Sequence, residues 1–599
     1  MQHAEQANVA NSFRPNHIPP QLPISRDPMS NHLNPPYGGT LQNLVMPPEE
    51  AEALKAGLTK VPALGLNERQ LCDLELLLNG GFSPLRGFMG RADYEGVLKD
   101  MRLTDGTLWP LPIMLSVSQE LAEQARENGR LALTDPEGLN LAVLEVGECW
   151  EYDREAEAQA VYGTTSMEHP GVRYLMEEEG PVYITGTLKG LQRPLRYDHR
   201  ALRLNPAELR SEFSRMGWRR IAGFHTRNPI HRNLREMTMA AATRVGANLL
   251  VHPVVSAPGQ GEFDHHTRVR CYQAVQRHYP PNLMRLSLLS LSMRRAGPRE
   301  TLLHAIIRKN HGCSHFIVGR NHAGPSEERQ DNQFYGPYEA QELMAKHQEE
   351  LGIEMIPFQE MVYVPGRAQF LPVDEVPEQE PTLAITNAEL HRRLNLGLDF
   401  PPWYSYPEVL AELRQAYPAR DKQGFTLFFT GLSGAGKSTV ANVLLARFLE
   451  LGGRPVTLLD GDIVRRNLSS ELGFTKEHRD LNILRIGFVA NEITKNRGIA
   501  ICAPIAPYRD IRRQVREMIS PSGGFIEIFV GTPLEVCEGR DRKGLYAKAR
   551  AGIIANFTGI SDPYEEPEHP EIVLDTSNHS PDECAQQVLI HLEREGYLA

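Results

Sequence analysis

Apolar and polar positions are arranged differently in successive parts of the chain. Residues 1–40 are rich in Pro, Asn and His and lack a periodic apolar pattern, which predicts a flexible tail. Between residues 41 and 200 the apolar runs are short and broken by Gly and Pro, a pattern typical of a β-rich domain. Strands are predicted within 108–117, 129–135, 139–152 and 180–188, and one helix is predicted over 68–78.

Strand-like runs alternate with helical spacing in two later regions, 201–365 and 421–599. Such alternation predicts a parallel sheet covered by helices. Residues 366–420, rich in Pro, Glu and Asp, predict a small subdomain and linker. In the first α/β region the predicted strands lie within 219–227, 248–255, 283–291 and 315–320, and the predicted helices within 265–278, 301–311 and 338–351. In the second, strands are predicted within 424–431, 454–462, 499–507, 525–533 and 570–576.

Composition narrows the function classes. A chain of 599 residues is long enough for about four domains, and a net charge of −11 without a basic run argues against nucleic-acid binding. The seven cysteines form no CxxC pair, which fits a reduced cytoplasmic protein and excludes a cysteine-based zinc module. No apolar run approaches the ~20 residues of a membrane span, and the N-terminus lacks a signal-peptide pattern. We expect a soluble cytoplasmic protein without zinc, a redox cofactor or a membrane partner.

A glycine-rich motif follows the first apolar run of the last region. It spans residues 431–438, Gly-Leu-Ser-Gly-Ala-Gly-Lys-Ser, and leads into a helical stretch. Glycines allow backbone N–H groups to surround phosphates, and a helix N-terminus favours negative charge. Lys437 would reach the β- and γ-phosphates and Ser438 would bind Mg²⁺. The alternative is a glycine-rich turn with an incidental lysine. The residues expected to bind ATP are Gly431, Ser433, Gly434, Ala435, Gly436, Lys437, Ser438 and Thr439.

Two carboxylates, Asp460 and Asp462, come at the end of the next apolar run. Ligand sites of parallel sheets lie at the carboxyl ends of the strands, so both side chains should face the phosphates. One could orient Mg²⁺ and the other could activate an acceptor hydroxyl. The alternative is that either residue caps the helix that follows.

Several motifs of this region resemble the adenylylsulfate (APS) kinase family. They include LLDGDIVRRNL, LGFTKEHRDLNILRIG, APIAPYR and RDRKGLYAKARAGIIANFTGISDPYEEP, and together they cover about 424–599. The resemblance implies MgATP-dependent phosphorylation of the 3′-hydroxyl of APS, which gives PAPS. It implies that Asp462 is the Mg²⁺ ligand and base, with Asp460 beside it. It also implies that APS is bound by Arg465, Phe474, Arg479, Asn482, Ile505, Ala506 and Lys543, with Phe474 stacking on adenine and Lys543 in a lid.

The chain departs from this family at one informative position. Many members carry Ser where this chain has Ala506. A side chain without a hydroxyl cannot be phosphorylated, so we expect direct in-line transfer from ATP to APS.

The N-terminal two-thirds resembles the ATP sulfurylase family over about 41–400. The motifs include CDLELLLNGGFSPLRGFM, HTRNPIHRNL, DHHTRVRCYQAV, AGPRETLLHAIIRKNHGC and VGRNHAGPS. The resemblance implies a PUA-like N-terminal domain, an α/β nucleotidyltransferase-like domain and transfer of the ATP adenylyl group to sulfate. It implies roles in catalysis or binding for Thr226, Arg227, Asn228, His231, Arg320, His322 and Ala323.

The central sulfurylase motif is altered in this chain. The family pattern is Gln-Thr-Arg-Asn-Pro-x-His-x-x-His, whose two histidines share one face of a helix N-terminus. Here His225 replaces the Gln and Leu234 replaces the second His. Leu cannot donate a hydrogen bond, and losing one donor typically costs about 10²–10³ in rate. Asn321 stands where the family usually has Asp.

Two hypotheses for the first module therefore remain open. It is either a working sulfurylase with a variant site, or a module that has lost most adenylyl transfer and persists as a scaffold or regulatory domain. A P-loop kinase for another hydroxylated metabolite is a third possibility, disfavoured by the combined Phe474, Arg479, Asn482 and lid motifs. The expected ligands are MgATP, APS and sulfate, and family precedent predicts a homo-oligomer.

Overall fold

A computed structural model describes residues 33–255, 263–325, 334–541 and 543–598. One compact unit extends to Thr382 and a second begins at Leu383. Most of the predicted tail, residues 1–32, lies outside the described residues. Residues 33–40 of the predicted tail are described. Among them, Tyr37 is buried, and its hydroxyl donates to the Leu108 carbonyl (2.8 Å).

The first part of the first unit is built on a mixed sheet whose strand order is β1-β3-β4-β5-β2. Only β1 and β3 pair in parallel. The predicted strands at 129–135, 139–152 and 180–188 and the helix at 68–78 are confirmed, but further helices surround the sheet. The elements are α1 (Pro48–Lys55), β1 (Ala63–Gly65), α2 (Glu68–Asn79), α3 (Arg91–Asp100), β2 (Ser116–Val117), α4 (Gln119–Asn128), β3 (Arg130–Thr134), β4 (Asn140–Glu151), α5 (Arg154–Tyr162), α6 (Pro170–Glu177) and β5 (Val182–Gly190).

The strand predicted over 108–117 is wrong for most of its length. Only Ser116–Val117 forms a strand, although Trp109, Leu111, Ile113 and Leu115 are all buried. Pro110 and Pro112 lack the N–H groups that a sheet ladder requires, so this segment is a buried loop. The apolar run therefore indicated correctly that these residues are buried, but it did not indicate their secondary structure.

The second part of the first unit contains the predicted parallel sheet, which is confirmed with the order β10-β9-β6-β7-β8. Because β6 and β9 are parallel neighbours, the loops that leave their carboxyl ends emerge side by side. The elements are α7 (Pro206–Arg215), β6 (Ile221–Phe224), α8 (Arg232–Val245), β7 (Asn248–Val251), α9 (His265–Gln276), β8 (Met284–Leu286), α10 (Gly297–Asn310), β9 (His315–Val318), α11 (Glu339–Leu351), β10 (Glu354–Pro357) and an antiparallel pair, β11 (Met361–Val364) and β12 (Gln369–Pro372).

The second unit has its own sheet, all parallel, in the order β14-β15-β13-β16-β17. The central strand β13 is buried on both faces, with Phe425, Leu427 and Phe429 in one core and Phe428 in the other. The elements are α12 (Asn387–Asn395), α13 (Pro407–Ala416), β13 (Phe425–Thr430), α14 (Lys437–Leu451), β14 (Val456–Asp460), α15 (Gly461–Asn467), α16 (Lys476–Lys495), β15 (Ile499–Ala503), α17 (Arg509–Ile519), β16 (Gly524–Val530), α18 (Leu534–Arg540), α19 (Leu545–Arg550), β17 (Ile572–Leu574) and α20 (Pro581–Arg594).

Candidate active sites

The glycine-rich loop of the second unit connects β13 to α14. Gly431, Gly434 and Gly436 have φ values of +146°, +74° and +103°, in the region that side chains disfavour. A Cβ on Gly436 would also lie 3.0 Å from Cγ2 of Thr576. These glycines therefore let the backbone curl tightly over the N-terminus of α14, as phosphate binding requires.

Lys437 is the first residue of α14 and its side chain bends back into the loop. Its Nζ donates to the carbonyls of Gly431 (2.9 Å) and Leu432 (2.8 Å). Burial lowers the pKa of this ammonium to about 8. The charged end is thus held at the place where phosphates would lie, by contacts that a ligand can replace.

Asp460 is the last residue of β14, and Asp462 lies in the first turn of α15. Asp460 Oδ2 accepts from Ser438 Oγ at 2.6 Å, and Asp460 Oδ1 accepts from the Asp462 backbone N–H at 3.0 Å. Asp460 therefore caps α15, as one of the two alternatives predicted, and its other carboxylate oxygen contacts the loop. Its role toward Mg²⁺ or an acceptor hydroxyl stays a prediction. Asp462 forms an ion pair with Lys543, and both side chains are more than half exposed (68% and 61%).

Three residues that the sequence analysis did not single out donate hydrogen bonds to the loop backbone. Thr532 and Thr576 follow β16 and β17, and their hydroxyls donate to the Ala435 carbonyl at 3.0 and 2.7 Å. The Tyr546 hydroxyl donates to the Ser433 carbonyl at 2.8 Å. Each threonine follows the carboxyl end of a strand, a pattern that would have flagged them. Thr439 is exposed on the first turn of α14.

An exposed aromatic ring and a guanidinium lie in contact beside α15. The Arg465 guanidinium sits 4.4 Å from the ring centre of Phe474, which is 63% exposed. Arg465 also donates to the Leu472 and Gly473 carbonyls (3.3 and 3.2 Å). Partial burial and the nearby Arg479 lower the pKa of Arg465. An exposed ring held in this way can stack on a planar ligand.

Arg479 and Asn482 lie on the buried face of α16. Arg479 donates to the hydroxyls of Thr558 (3.0 Å) and Tyr508 (2.6 Å) and pairs with Asp562 (2.8 Å). These three contacts within the protein hold the Arg479 guanidinium in place. The Oδ1 atom of Asn482 is buried and has no hydrogen-bond partner among the described residues. A buried amide oxygen without a partner is costly, so it points to a ligand that donates to it.

Ile505 and Ala506 contact the loop through their backbones. The Ile505 carbonyl accepts from the Gly431 N–H (3.3 Å) and from the Thr430 hydroxyl (2.9 Å). Ala506 is buried with φ +46°, and its carbonyl accepts from Arg512 (2.7 Å). A left-handed conformation is uncommon for Ala, and such strain is frequent at functional sites.

In the first unit, the loop 225–231 follows β6 and leads into α8. The Thr226 hydroxyl donates to the Asn228 carbonyl (3.0 Å), to which the Tyr272 hydroxyl also donates (3.0 Å). Arg227 reaches the Gly324 carbonyl (3.4 Å). His231 is the N-cap residue of α8, and Leu234 lies inside the first turn of that helix. Burial lowers the pKa of His231 to about 3.

A buried cluster of imidazoles surrounds His225. The His225 ring centre lies 4.6 Å from that of His304 and 5.4 Å from that of His322. Its Nδ1 is 3.2 Å from a guanidinium nitrogen of Arg308, whose pKa burial lowers to about 9. Burial, with His304 and Arg308 nearby, places the pKa of both His225 and His322 well below the usual range. These imidazoles are therefore neutral at pH 7.

The loop after β9 lies beside this cluster. Asn321 and Ala323 have φ values of +52° and +57°, and the Ala323 carbonyl accepts from the Gly297 N–H at 3.1 Å. Arg320 instead points to a partly exposed Glu360, with 3.0 Å between them. The structure thus places His322 in the cluster, whereas Ala323 contacts Gly297 and Arg320 contacts Glu360.

Comparison with known proteins identifies the domains that contain the two loops. Family models match for the PUA-like domain at residues 34–193, ATP-sulfurylase at 200–416 and adenylylsulphate kinase at 423–575. The sulfate adenylyltransferase of Phaeosphaeria nodorum is 48% identical over 570 residues, covering 94% of this chain and 99% of its own. That of Mycosarcoma maydis is 47% identical over 572 residues, covering 94% and 100%.

This chain belongs to the sulfate adenylyltransferase family.

A solved structure matches the chain over a similar length. The hexameric APS kinase from Thiobacillus denitrificans superposes with a TM-score of 0.78 and 43% identity, covering 95% of this chain and 100% of its own. This member of the sulfate adenylyltransferase family is therefore an enzyme of the transferase class with a sulfurylase domain and an adenylylsulphate kinase domain. The predicted PUA-like, α/β and P-loop architecture is confirmed.

Family membership also implies Mg²⁺ together with ATP, and the kinase domain fits such an ion. Mg²⁺ prefers hard oxygen ligands, and the Ser438 hydroxyl meets the Asp460 carboxylate at the loop, with Asp462 two residues further on. Within the described residues, no helix combines the length and apolar composition that a bilayer crossing requires.

Proposed function

We propose that the kinase domain transfers the γ-phosphoryl group of MgATP to the 3′-hydroxyl of APS, giving ADP and PAPS. The observation that carries this proposal is the phosphate loop, in which Lys437 lies beside the contact of Ser438 with Asp460. The same domain holds the exposed ring of Phe474 and a buried amide oxygen of Asn482 that has no partner among the described residues. The loop with Lys437 and Asp460 suits a nucleoside triphosphate, and the exposed ring with the buried amide suits a nucleotide acceptor.

On the donor side, Lys437 would exchange its contacts with the Gly431 and Leu432 carbonyls for the β- and γ-phosphates. The Mg²⁺ that accompanies ATP would be held by Ser438 with Asp460 and Asp462, and it would neutralise phosphate charge. The left-handed glycine conformations curl the loop backbone over the N-terminus of α14, so that N–H groups of the loop would point toward the phosphate chain. Two of these N–H groups, those of Gly431 and Ala435, already donate to the Ile505 and Leu432 carbonyls.

On the acceptor side, Phe474 would stack on the adenine of APS, and Arg465 would lie close to its charged groups. Asn482 would accept a hydrogen bond from the bound nucleotide through the Oδ1 atom that is unpartnered here. Arg479 is fixed by Tyr508, Thr558 and Asp562, so it would contribute a positive charge in a constant position.

In the transfer step, the 3′-oxygen of APS attacks the γ-phosphorus while the bond to the β,γ-bridging oxygen breaks. ADP leaves with that electron pair, and the hydroxyl proton passes to the Asp462 carboxylate. Lys543, which pairs with Asp462 here, would move to the phosphates and cover them. Ala506 offers no hydroxyl, so no phosphoenzyme forms at this position.

For the sulfurylase domain we propose that most adenylyl transfer has been lost. Leu234 supplies no hydrogen-bond donor, and the buried imidazoles of His225 and His322 carry no charge at pH 7. Removing one donor to a developing charge typically lowers the rate about 10²–10³-fold. A second possibility is a working sulfurylase in which His225 substitutes for the missing histidine; the contact of its ring with His304 and His322 favours this alternative.

We further propose that the protein acts as a homo-oligomer in the cytoplasm. The full-length structural neighbour from T. denitrificans is described as hexameric. All seven cysteines are free thiols, as expected in a reducing compartment. Tethering the two domains would raise the local concentration of APS at the kinase whenever the first domain makes any.

The kinase proposal is tested by measuring ADP release from the full chain with MgATP and a panel of hydroxylated acceptors. We expect release with APS and a mass increase of one phosphoryl group on the acceptor. Release with a sugar acid but not with APS would overturn the proposal. Pyrophosphate release from ATP and sulfate, measured on the same sample, tests the first domain separately.

A further inference from the structure

A group of imidazoles and one carboxylate lies on the first unit, among residues that neither proposed reaction uses. It combines Asp198 and His199, in the segment after β5, with His265 and His266, the first two residues of α9. One ligand atom each from Asp198, His199 and His266 lies within 4.8 Å of the other two. The sequence showed no metal-ligand spacing here because His199 and His266 are 67 positions apart.

The distance between the two imidazoles matches a shared metal ion. His199 Nε2 and His266 Nδ1 face each other at 3.3 Å. Zinc–nitrogen bonds of about 2.0–2.1 Å in a tetrahedral arrangement place two nitrogens about 3.3–3.4 Å apart. The ring centres are 5.5 Å apart, so the pair meets through its nitrogens rather than by stacking.

The carboxylate is oriented as metal-bound carboxylates are. Arg203 donates to both Asp198 oxygens (2.9 and 2.8 Å), and His265 Nε2 lies 3.0 Å from Oδ2. Outer hydrogen bonds of this kind fix ligating groups in place. With Arg203 beside a single carboxylate, the site is poor in negative charge, which disfavours Mg²⁺ and Ca²⁺. Neutral imidazoles instead suit Zn²⁺ and similar transition metals.

The backbone at the site is strained, and the site is open to solvent. His199 has φ +44° and ψ +36°, a left-handed conformation that is uncommon for His. Such strain is maintained where the surroundings or a ligand compensate for it. His266 is exposed, so an ion can enter and water can complete its coordination.

We propose that Asp198, His199 and His266 bind a divalent transition-metal ion of the Zn²⁺ type, with His265 as a positioning residue. The ion joins the segment that follows β5 to the start of α9. It therefore fastens the connection between the PUA-like and sulfurylase domains, and its role is structural or regulatory. This inference is independent of the kinase proposal and departs from the expectation that the protein holds no zinc.

The test is zinc titration of the full chain by calorimetry, after removal of metals with a chelator and of the chelator by dialysis. We expect one Zn²⁺ per chain at this site. His199→Asn, which tolerates the left-handed backbone, and His266→Gln should each weaken binding more than about 100-fold. His265→Gln should weaken it about 10-fold. His569→Gln, at an exposed histidine of the kinase domain, is the matched control and should bind as the parent does.

A second readout separates metal binding from loss of folding. Co²⁺ in place of Zn²⁺ should give the visible absorption of a tetrahedral site, and this absorption should disappear in the H199N and H266Q variants. Both variants should keep the unfolding temperature that the metal-free parent shows. Absence of stoichiometric zinc binding, or unchanged binding in both variants, would overturn the proposal.

Discussion

The loop that follows β13 and the loop that follows β6 have the same backbone plan but different chemistry. Each leaves the carboxyl end of a buried parallel strand, β13 or β6, and leads directly into a helix, α14 or α8. The kinase loop presents the ammonium of Lys437, and the same domain carries the exposed pair of Asp462 and Lys543. The sulfurylase loop presents buried imidazoles. A shared plan therefore does not guarantee a shared capacity to stabilise charge.

The difference lies in which groups stay charged when no ligand is bound. Carbonyl oxygens surround the Lys437 ammonium, so it remains charged up to pH about 8 despite its burial. Burial is the main cause of the lowered pKa values of His225 and His322 in the sulfurylase cluster. A neutral imidazole still donates one hydrogen bond, but it adds no positive charge to a developing phosphate anion.

The largest expected effect is at Lys437. Lys437→Ala removes the only lysine of the 431–438 loop and should lower APS-dependent ADP release about 10³-fold, because the phosphates lose a fixed cation. Lys495→Ala changes an exposed lysine at the end of α16 and should leave the rate unchanged. A K437A variant with more than a tenth of the parent rate would contradict the role given to this lysine.

Restoring the family motif in the sulfurylase loop tests whether the altered residues are the cause of the lost activity. The double change His225→Gln with Leu234→His returns one donor, which should raise sulfate-dependent pyrophosphate release about 10²-fold. Leu234→Met keeps the volume but adds no donor, so it should give no increase. If the double variant stays inactive, the two substitutions are not the cause and Asn321 becomes the next candidate.

The sequence predicted the parallel sheets well because buried strands appear as short apolar runs. It failed at 108–117, where Pro110 and Pro112 prevent strand pairing, and it missed the amphipathic helices around the first sheet. The glycine-rich loop at 431–438 was correctly predicted between a strand and a helix, because its glycine and charge pattern is local. The network of Arg479 with Tyr508, Thr558 and Asp562 could not be found, since it joins distant segments. The same is true of His199 and His266.

The affinity of the kinase domain for ATP should change about tenfold with pH. Lys437 must be protonated to bind phosphates, and its pKa in the free protein is about 8, so affinity is full below pH 8 and falls above it. Between pH 7 and pH 9 the dissociation constant of a non-hydrolysable ATP analogue should rise about tenfold. An unperturbed lysine, with a pKa near 10.4, would show almost no change in this range.

The matched control for this profile is Lys437→Arg, whose guanidinium stays charged throughout. Its affinity for the analogue should be independent of pH in the same range, whatever its absolute value. A pH-dependent K437R variant would assign the titration to another group.

The smallest effect is expected at Ala506. Ala506→Ser adds a hydroxyl at a buried position with a left-handed backbone, and it should change kcat by less than about threefold. Intact mass measured after incubation with MgATP, without APS, should show no added phosphoryl group. Stoichiometric phosphorylation of the A506S variant together with faster turnover would contradict direct in-line transfer.

The central claim is that the kinase domain carries the activity while the sulfurylase domain is impaired. The most direct measurement compares two rates on one preparation: ADP formation from MgATP and APS, and ATP formation from APS and pyrophosphate. The second assay uses the favourable direction of the sulfurylase reaction, so it detects even weak activity. We predict that the kinase rate exceeds the sulfurylase rate by about 10² or more. Comparable rates in the two assays would contradict the account.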